Sequence, residues 1–275
     1  MTLEEWLLTH PYLEPVARFC AQVESAAAAA GTASTSVPNW DAYAEDFRAG
    51  MPLLKSAAAG VDLDECGRTV LALVERLASN PEAGKLAADA SALRAELSGD
   101  GTSPGRVADW LLGEETFTPS SPGLFRYLGW STMASHLAPV VELYRTWRGE
   151  ERWLRGYCPT CGSPPAMAQL AGTDPGRMRF LSCGCCGTRW QYSRTGCPFC
   201  EQDVRKLASL SIEGEAGLRI DSCELCKGYL KTYDGEGNEA VLLSDWTSLH
   251  LDVVAHDRGL KRLAASLYEL EPLLG

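Results

Sequence analysis

Nine of the eleven cysteines in this 275-residue chain lie between Cys158 and Cys226, and their spacing carries the clearest chemistry in the sequence. Eight of them form four Cys-x-x-Cys pairs: Cys158/Cys161, Cys183/Cys186, Cys197/Cys200 and Cys223/Cys226. Each such knuckle is a tight turn that lets two thiolates converge while backbone N–H groups point at the sulfurs. Two knuckles complete a tetrahedral metal site. Four pairs make two four-cysteine sites, combined sequentially, crossed or nested.

Internal similarity favours the sequential combination. Cys158 to Cys197 spans 39 residues and Cys183 to Cys223 spans 40. CPTC (158–161) matches CPFC (197–200), RFLSC (179–183) matches RIDSC (219–223), and TRWQY after the second pair matches YLKTY after the fourth. The unit reads as knuckle, loop, strand, knuckle, strand, written twice. Site one is then Cys158, Cys161, Cys183 and Cys186, and site two is Cys197, Cys200, Cys223 and Cys226. A unit of this size buries too little apolar surface to be stable alone, so the metal supplies folding energy. Four thiolates suit zinc or a single rubredoxin-type iron, and spacing alone favours structural zinc. No position is left open for a metal-bound water, which argues against hydrolytic chemistry.

Cys185 is surplus. It reads as a partly exposed bystander, with a substitute ligand or redox-sensitive thiol as the sharper alternative. Cys20 and Cys66 read as small core residues. His10, His136, His250 and His256 are scattered, without HExxH spacing, and read as surface or core histidines. The chain has no GxGxxG and no isolated catalytic-looking carboxylate pair. Trp190 reads as packing over the first metal site.

Around these motifs the sequence divides in two. Residues 1–155 read as an all-helical domain. Thr2 and Glu5 fit a capping box. Leu13, Val16, Phe19, Cys20 and Val23 recur at helical spacing, and GTASTSVPN (31–39) reads as a linker whose Asn39 caps a helix. Asp62 opens a helix with an apolar stripe from Leu63 to Leu77, and Asn80-Pro81 starts the next. SGDGTSPG (98–105) is a loop, followed by helices over 104–113 and about 121–149. From Tyr157 onward, β-like runs appear at MRFLS, TRWQY, LRIDS and YLKTY. The expected parts are a first metal module (156–195), a second (196–240) and a C-terminal segment (241–275) with one helix from about Ser244 to Glu269. That helix would bury Trp246, Leu249, Val253, Leu260 and Leu263. The fold class is α+β: a helical N-terminal domain, two tandem rubredoxin-like or zinc-ribbon four-cysteine modules and a C-terminal helix.

Composition limits the partners. Lys plus Arg is 25 against 36 Asp plus Glu, a net charge of −11, which argues against nucleic acid and anionic membrane surfaces. The opening MTLEEWLLTHPYLEPVARFC does not read as a secretory leader, and no apolar run is long enough to span a membrane. A cytoplasmic chain is expected, where clustered cysteines are metal ligands rather than disulfides.

The combination resembles the formate dehydrogenase accessory protein FdhE family. The resemblance rests on WLRGYCPTCGSPP (153–165), LSCGCCGTRW (181–190), GCPFCE (196–201) and DSCELCKGYLK (221–231), and SDWTSLHLD (244–252) is similar to the family's closing helix. It covers the C-terminal half by motif and the N-terminal half by architecture; Cys185 and the short N-terminal half depart from it. The resemblance implies a cytoplasmic, non-enzymatic maturation factor. Such a factor binds the catalytic subunit of a respiratory formate dehydrogenase, which carries molybdenum or tungsten and iron–sulfur clusters. It also implies two rubredoxin-like modules that bind iron, which moves the metal preference from zinc to iron. The alternatives are a one-electron redox protein and a zinc-ribbon nucleic-acid module, the second disfavoured by charge. Self-association is left open.

Overall fold

The computed structural model describes residues 1–30, 37–80, 84–98, 103–113, 118–149, 153–173, 175–202, 207–215 and 217–268. Two compact units emerge: Pro15–Tyr43, Ala57–Trp147 and Leu267–Gly275 make one, and Met1–Glu14, Ala44–Ser56 and Arg148–Ser266 the other. Among the described residues no helix is long and apolar enough to cross a membrane.

The first unit is helical. It contains most of α2 (Glu14–Ala30), the start of α3 (Trp40–Ala49), then α4 (Asp64–Ala78), α5 (Lys85–Leu97), α6 (Pro104–Leu111) and nearly all of α7 (Pro122–Arg148). α4 buries Cys66, Val70, Leu73, Val74 and Leu77 on one stripe, as its spacing requires. Asp62 lies just outside α4, and its Oδ1 accepts the Asp64 N–H at 2.9 Å. Asn39 accepts the Ala42 N–H at 3.2 Å, the cap read from the sequence. α5 begins later than Asn80-Pro81 suggests, after Gly84 in the left-handed region at φ +55°. Residues 81–83, 31–36 of the expected linker and 99–102 of the expected loop lie outside the described residues.

α4 and α6 approach so closely at Gly67 that a Cβ there would strike the Pro104 backbone carbonyl. In an ordinary helix interior, alanine is favoured over glycine by about 1 kcal/mol. Here Gly67→Ala should instead destabilise by about 1–3 kcal/mol, read as a lower urea midpoint. A stabilised variant would show that the two helices do not meet at this position.

The second unit is built on one six-stranded sheet in the order β3-β2-β1-β6-β5-β4. β1 (Pro165–Ala171), β2 (Met178–Cys183) and β3 (Arg189–Tyr192) form one antiparallel meander. β4 (Leu207–Ser211), β5 (Leu218–Cys223) and β6 (Tyr229–Asp234) form the other. The stretch read as a loop after each first knuckle is therefore a strand. Parallel pairing of β1 with β6, with Met167 opposite Lys231, joins the meanders into one sheet.

Sequence-distant segments complete this unit. α1 (Leu3–Thr9) has the expected capping box: Glu5 N–H donates to Thr2 Oγ1 at 3.2 Å and Thr2 N–H to Glu5 Oε2 at 2.7 Å. Its Trp6 packs in one core with Met167, Ile220, Leu242 and Leu251. Residues 44–56 run against the first knuckle, where the Leu53 and Leu54 N–H groups donate to the carbonyls of Pro159 and Thr160, each at 2.9 Å.

The expected 244–269 helix does not form as one element. The chain instead makes α8 (Glu239–Leu242), a 3-10 turn (Asp245–Ser248) and α9 (Leu249–Asp257). Gly259, at φ +70°, closes α9, and Leu260 N–H folds back to the Ala255 carbonyl at 3.0 Å. Lys261 then pairs with the fourth knuckle: its N–H donates to Lys227 O at 2.8 Å and its carbonyl accepts Tyr229 N–H at 3.3 Å. Residue 269 lies outside the described residues. A buried ionic cluster holds this segment on the sheet. Lys231 Nζ of β6 lies 2.7 Å from Asp245 Oδ1 and 2.8 Å from Asp252 Oδ2, and Arg262 reaches both carboxylates at 2.7 Å.

Candidate metal centres

Each knuckle folds by the same local rule. The N–H four residues after the first cysteine donates back to that cysteine's carbonyl at 2.9 Å in the first, third and fourth knuckles: Gly162 to Cys158, Glu201 to Cys197 and Lys227 to Cys223. In all four knuckles this residue takes left-handed φ: Gly162 +82°, Gly187 +72°, Glu201 +53° and Lys227 +61°. Glycine takes that conformation without strain, whereas Glu201 and Lys227 are held there against their side chains. The turns aim N–H groups at sulfur: Thr160 at Cys158 and Cys185 at Cys183, both at 3.4 Å, and Gly228 at Cys226 at 3.3 Å.

The structure groups the cysteines sequentially. Cys158, Cys161, Cys183 and Cys186 converge in one cluster, and Cys197, Cys200, Cys223 and Cys226 in the other. In the first, Cys158–Cys186 and Cys161–Cys183 sulfurs are each 3.5 Å apart. In the second, Cys197–Cys226 and Cys200–Cys223 are 3.7 and 3.8 Å apart. Sulfurs about 2.3 Å from a tetrahedral metal lie about 3.8 Å from one another, so both clusters fit a single ion. Four thiols converging without disulfides also suit a thiophilic metal.

The clusters differ in exposure. All four cysteines of the first are buried, whereas Cys200 and Cys226 of the second are partly exposed. Around the first, Thr188 Oγ1 donates to Thr160 Oγ1 at 2.8 Å and lies 3.1 Å from Cys186 Sγ. Burial opposes ionisation of Cys161, but the thiols of Cys158, Cys183 and Cys186 prevail and hold it well below its ordinary value. In the second cluster burial pushes Cys197 up to about 12. Burial also opposes ionisation of Cys223, yet the N–H groups of Cys226 and Leu225 and the neighbouring thiols draw it down to about 7.

The two modules meet where Gly156 passes the third knuckle. A Cβ there would strike the Pro198 carbonyl, and Gly156 N–H donates to Glu201 Oε1 at 3.3 Å. Arg179, buried on β2, donates to Gly196 O at 2.9 Å just before that knuckle. Trp190 is buried, with Nε1 donating to Arg155 O at 3.1 Å.

The remaining cysteines and histidines separate clearly. Cys185 is buried rather than partly exposed, and it lies outside the first cluster while its N–H supports Cys183. Burial pushes the Cys20 and Cys66 thiols up to about 11 and about 12, in keeping with core packing. His136 is buried on α7 and His256 is exposed on α9. His10 and His250, read as unrelated, converge with Glu215 in a third group of possible ligands. Only folding brings these three residues together; no motif spacing marks them.

Comparison with known proteins shows what this chain is similar to. Residues 157–194 match the family described as "FdhE, central domain". A "Protein FdhE homolog" from Pseudomonas aeruginosa is 39% identical over 119 residues, covering 39% of this chain and 38% of that protein. A second from Aquifex aeolicus is 32% identical over 133 residues, covering 46% and 47%. "Protein FdhE" from Salmonella paratyphi B is 39% identical over 140 residues, covering 49% and 42%. The chain thus spans less than half the length of each of these relatives in the aligned stretches. The crystal structure of the FdhE protein from Pseudomonas aeruginosa matches with a TM-score of 0.65 and 26% identity over 95% of this chain and 90% of that one.

Proposed function

We propose, from the premise that this chain belongs to the FdhE family, that it is an accessory factor through which a formate dehydrogenase becomes active. The observation that carries this reading is the pair of four-cysteine clusters embedded in one sheet, the first of them inside the stretch that matches the family's central domain. In this reading Cys158, Cys161, Cys183 and Cys186 hold one ion, and Cys197, Cys200, Cys223 and Cys226 hold another. Each ion has all four positions filled by sulfur, so its contribution is to fix the knuckles. Iron is favoured by the family and zinc is the alternative; the donor set accepts both. The chain is non-enzymatic and cytoplasmic. Its rigid knuckle surface is offered to the catalytic subunit, in rubredoxin-like modules.

Tagged full-length protein, purified from a formate-grown host, should retain the catalytic subunit and two metal ions in the four-cysteine sites. Deleting the gene should abolish respiratory formate oxidation, and restoring it should recover the activity. The purified protein should oxidise no formate itself. Unchanged formate oxidation in the deletion strain, with no subunit retained, would refute the reading. A one-electron redox role is favoured by one observation, the partial exposure of Cys200 and Cys226. A reversible visible absorbance change on reduction would support it.

A further inference from the structure

We propose that His10, Glu215 and His250 form a third metal site, which binds one divalent first-row transition ion through two imidazoles and a carboxylate. Their ligand atoms all lie within 4.8 Å of one another. The same Glu215 oxygen, Oε1, lies 3.4 Å from His10 Nε2 and 2.9 Å from His250 Nε2. Ligands of one tetrahedral ion with bonds of about 2.0–2.1 Å lie roughly 3.3–3.4 Å apart, so small side-chain adjustments bring all three donors onto one centre.

The surroundings fix how His10 presents itself. Its Nδ1 lies 3.0 Å from the Trp6 carbonyl oxygen and 2.9 Å from Thr9 Oγ1, whose own hydrogen goes to that carbonyl at 2.9 Å, so a hydrogen on Nδ1 suits both neighbours. In neutral His10 the Nε2 lone pair then faces the Glu215 carboxylate, an arrangement that a shared cation stabilises. An imidazole whose far N–H is held by a carbonyl is the usual outer arrangement of a metal-bound histidine. The ring is held further by stacking on Trp6, with centroids 3.7 Å apart and planes at 21°, and Trp6 Nε1 donates to Thr247 O at 3.0 Å.

An independent observation points to a ligand. The Glu215 side chain is only 9% exposed, and its Oε2 has no hydrogen-bond partner among the described residues. Both ring nitrogens of His250 are likewise buried without a hydrogen bond of acceptable geometry. A buried carboxylate oxygen left unpaired is costly, and a metal ion relieves that cost at Glu215 and at one His250 nitrogen together. The donors come from three places: His10 caps the end of α1, Glu215 lies in the β4–β5 turn, and His250 is in the first turn of α9. That β4–β5 turn is set by Glu215 N–H donating to Ile212 O at 3.3 Å and Gly217 N–H to Glu215 O at 2.8 Å. Two nitrogens and one carboxylate favour zinc, ferrous iron, cobalt or nickel over calcium or magnesium, and three protein ligands leave at least one position for water or an external donor. Such a site differs from the closed four-cysteine clusters in both hardness and exchange.

The test uses the full chain in two preparations, one saturated with zinc and one given only the two equivalents of zinc that the four-cysteine clusters take and then titrated with Co2+. Wild type should bind one more ion per chain than either Glu215→Gln or His250→Asn, by elemental analysis after gel filtration of zinc-saturated protein. The extra Co2+ should give weak d–d bands without thiolate charge transfer. Each variant should weaken this binding by more than the roughly 10–100-fold that loss of an outer-shell partner costs. Because the difference between proteins is read, the result holds whatever the four-cysteine clusters contain. Unchanged circular dichroism and cysteine-site metal in the variants separate ligand loss from misfolding. His10→Gln, which keeps a hydrogen-bonding side chain, serves if a variant fails that control. Equal metal content in wild type and folded variants, or extra Co2+ with a thiolate band, would overturn the proposal.

Discussion

Removing metal from the four-cysteine clusters, by chelation at neutral pH or by Cys158→Ser, is expected to unfold the sheet unit while the helical unit keeps its secondary structure. The first cluster is wholly buried, so serine there leaves a polar group in place of a ligand and three thiols without a centre. Structural zinc supplies about 10–16 kcal/mol in small peptides. The sheet unit also has an apolar core around Met167, Ile220, Leu242 and Leu251, so the loss here should be a fraction of that, though still several kcal/mol. The helical unit needs no cysteine ligand: Val70, Leu73, Leu93, Leu128 and Met133 are fully buried apolar side chains. Amide exchange resolved by segment is the decisive measurement. Protection should vanish in β1 and β6 and persist in α4 and α7. Uniform loss across both units would contradict the division, and no loss would mean that the clusters are not structural.

A second large effect is expected at Lys231. This side chain is fully buried between Asp245 and Asp252, with Arg262 the second cation of the cluster. Lys231→Met leaves one cation for two carboxylates. Removing one partner of a buried ion pair costs about 3–5 kcal/mol, because the other charge stays buried without compensation. Tyr229 Oη, which donates to Asp252 Oδ1 at 2.6 Å, cannot make up the missing charge. Urea unfolding should show the loss, and adding Asp252→Asn should recover part of it. A neutral single substitution would mean that the cluster is not sealed from water. The same cluster sets an acid limit. Burial opposes ionisation of Asp245, but Lys231 and Arg262 prevail and lower it from 3.8 to about 2. The folded state therefore binds fewer protons than the unfolded state between those values. Its contribution, about 2 kcal/mol, is complete above about pH 4 and disappears as the pH falls towards 2.

The cysteine grouping was legible because the repeat is local. RFLSC and RIDSC, each with its own knuckle, mark β2 and β5. β1 and β4 were not. PAMAQLA is buried at all seven positions, so it lacks a two-residue alternation, and its alanines, methionine and leucine are helix formers. LASLS is a short edge strand with a largely exposed pattern. The closing helix was overextended because Val253 and Leu263 were counted as a buried stripe; they are 62% and 40% exposed. Gly259 carried the stop signal that the apolar spacing obscured. His10 and Glu215 are separated by 205 positions, so their meeting depends on a tertiary arrangement that no local period encodes.

The grip of residues 44–56 on the first knuckle has a kinetic consequence. Tyr157 Oη donates to Gly50 O at 2.8 Å across 107 positions, and Trp6 Nε1 to Thr247 O across 241. Contacts of this span raise contact order, and each requires a long loop to close before it contributes. During synthesis, α1 leaves the ribosome long before α9 exists, so Trp6 lacks its final partner for most of translation. The helical unit, by contrast, has within Ala57–Trp147 the neighbours that α4 requires. The expected order of assembly is therefore helices first and sheet last, with the sheet unit completed only when Trp6 reaches Thr247.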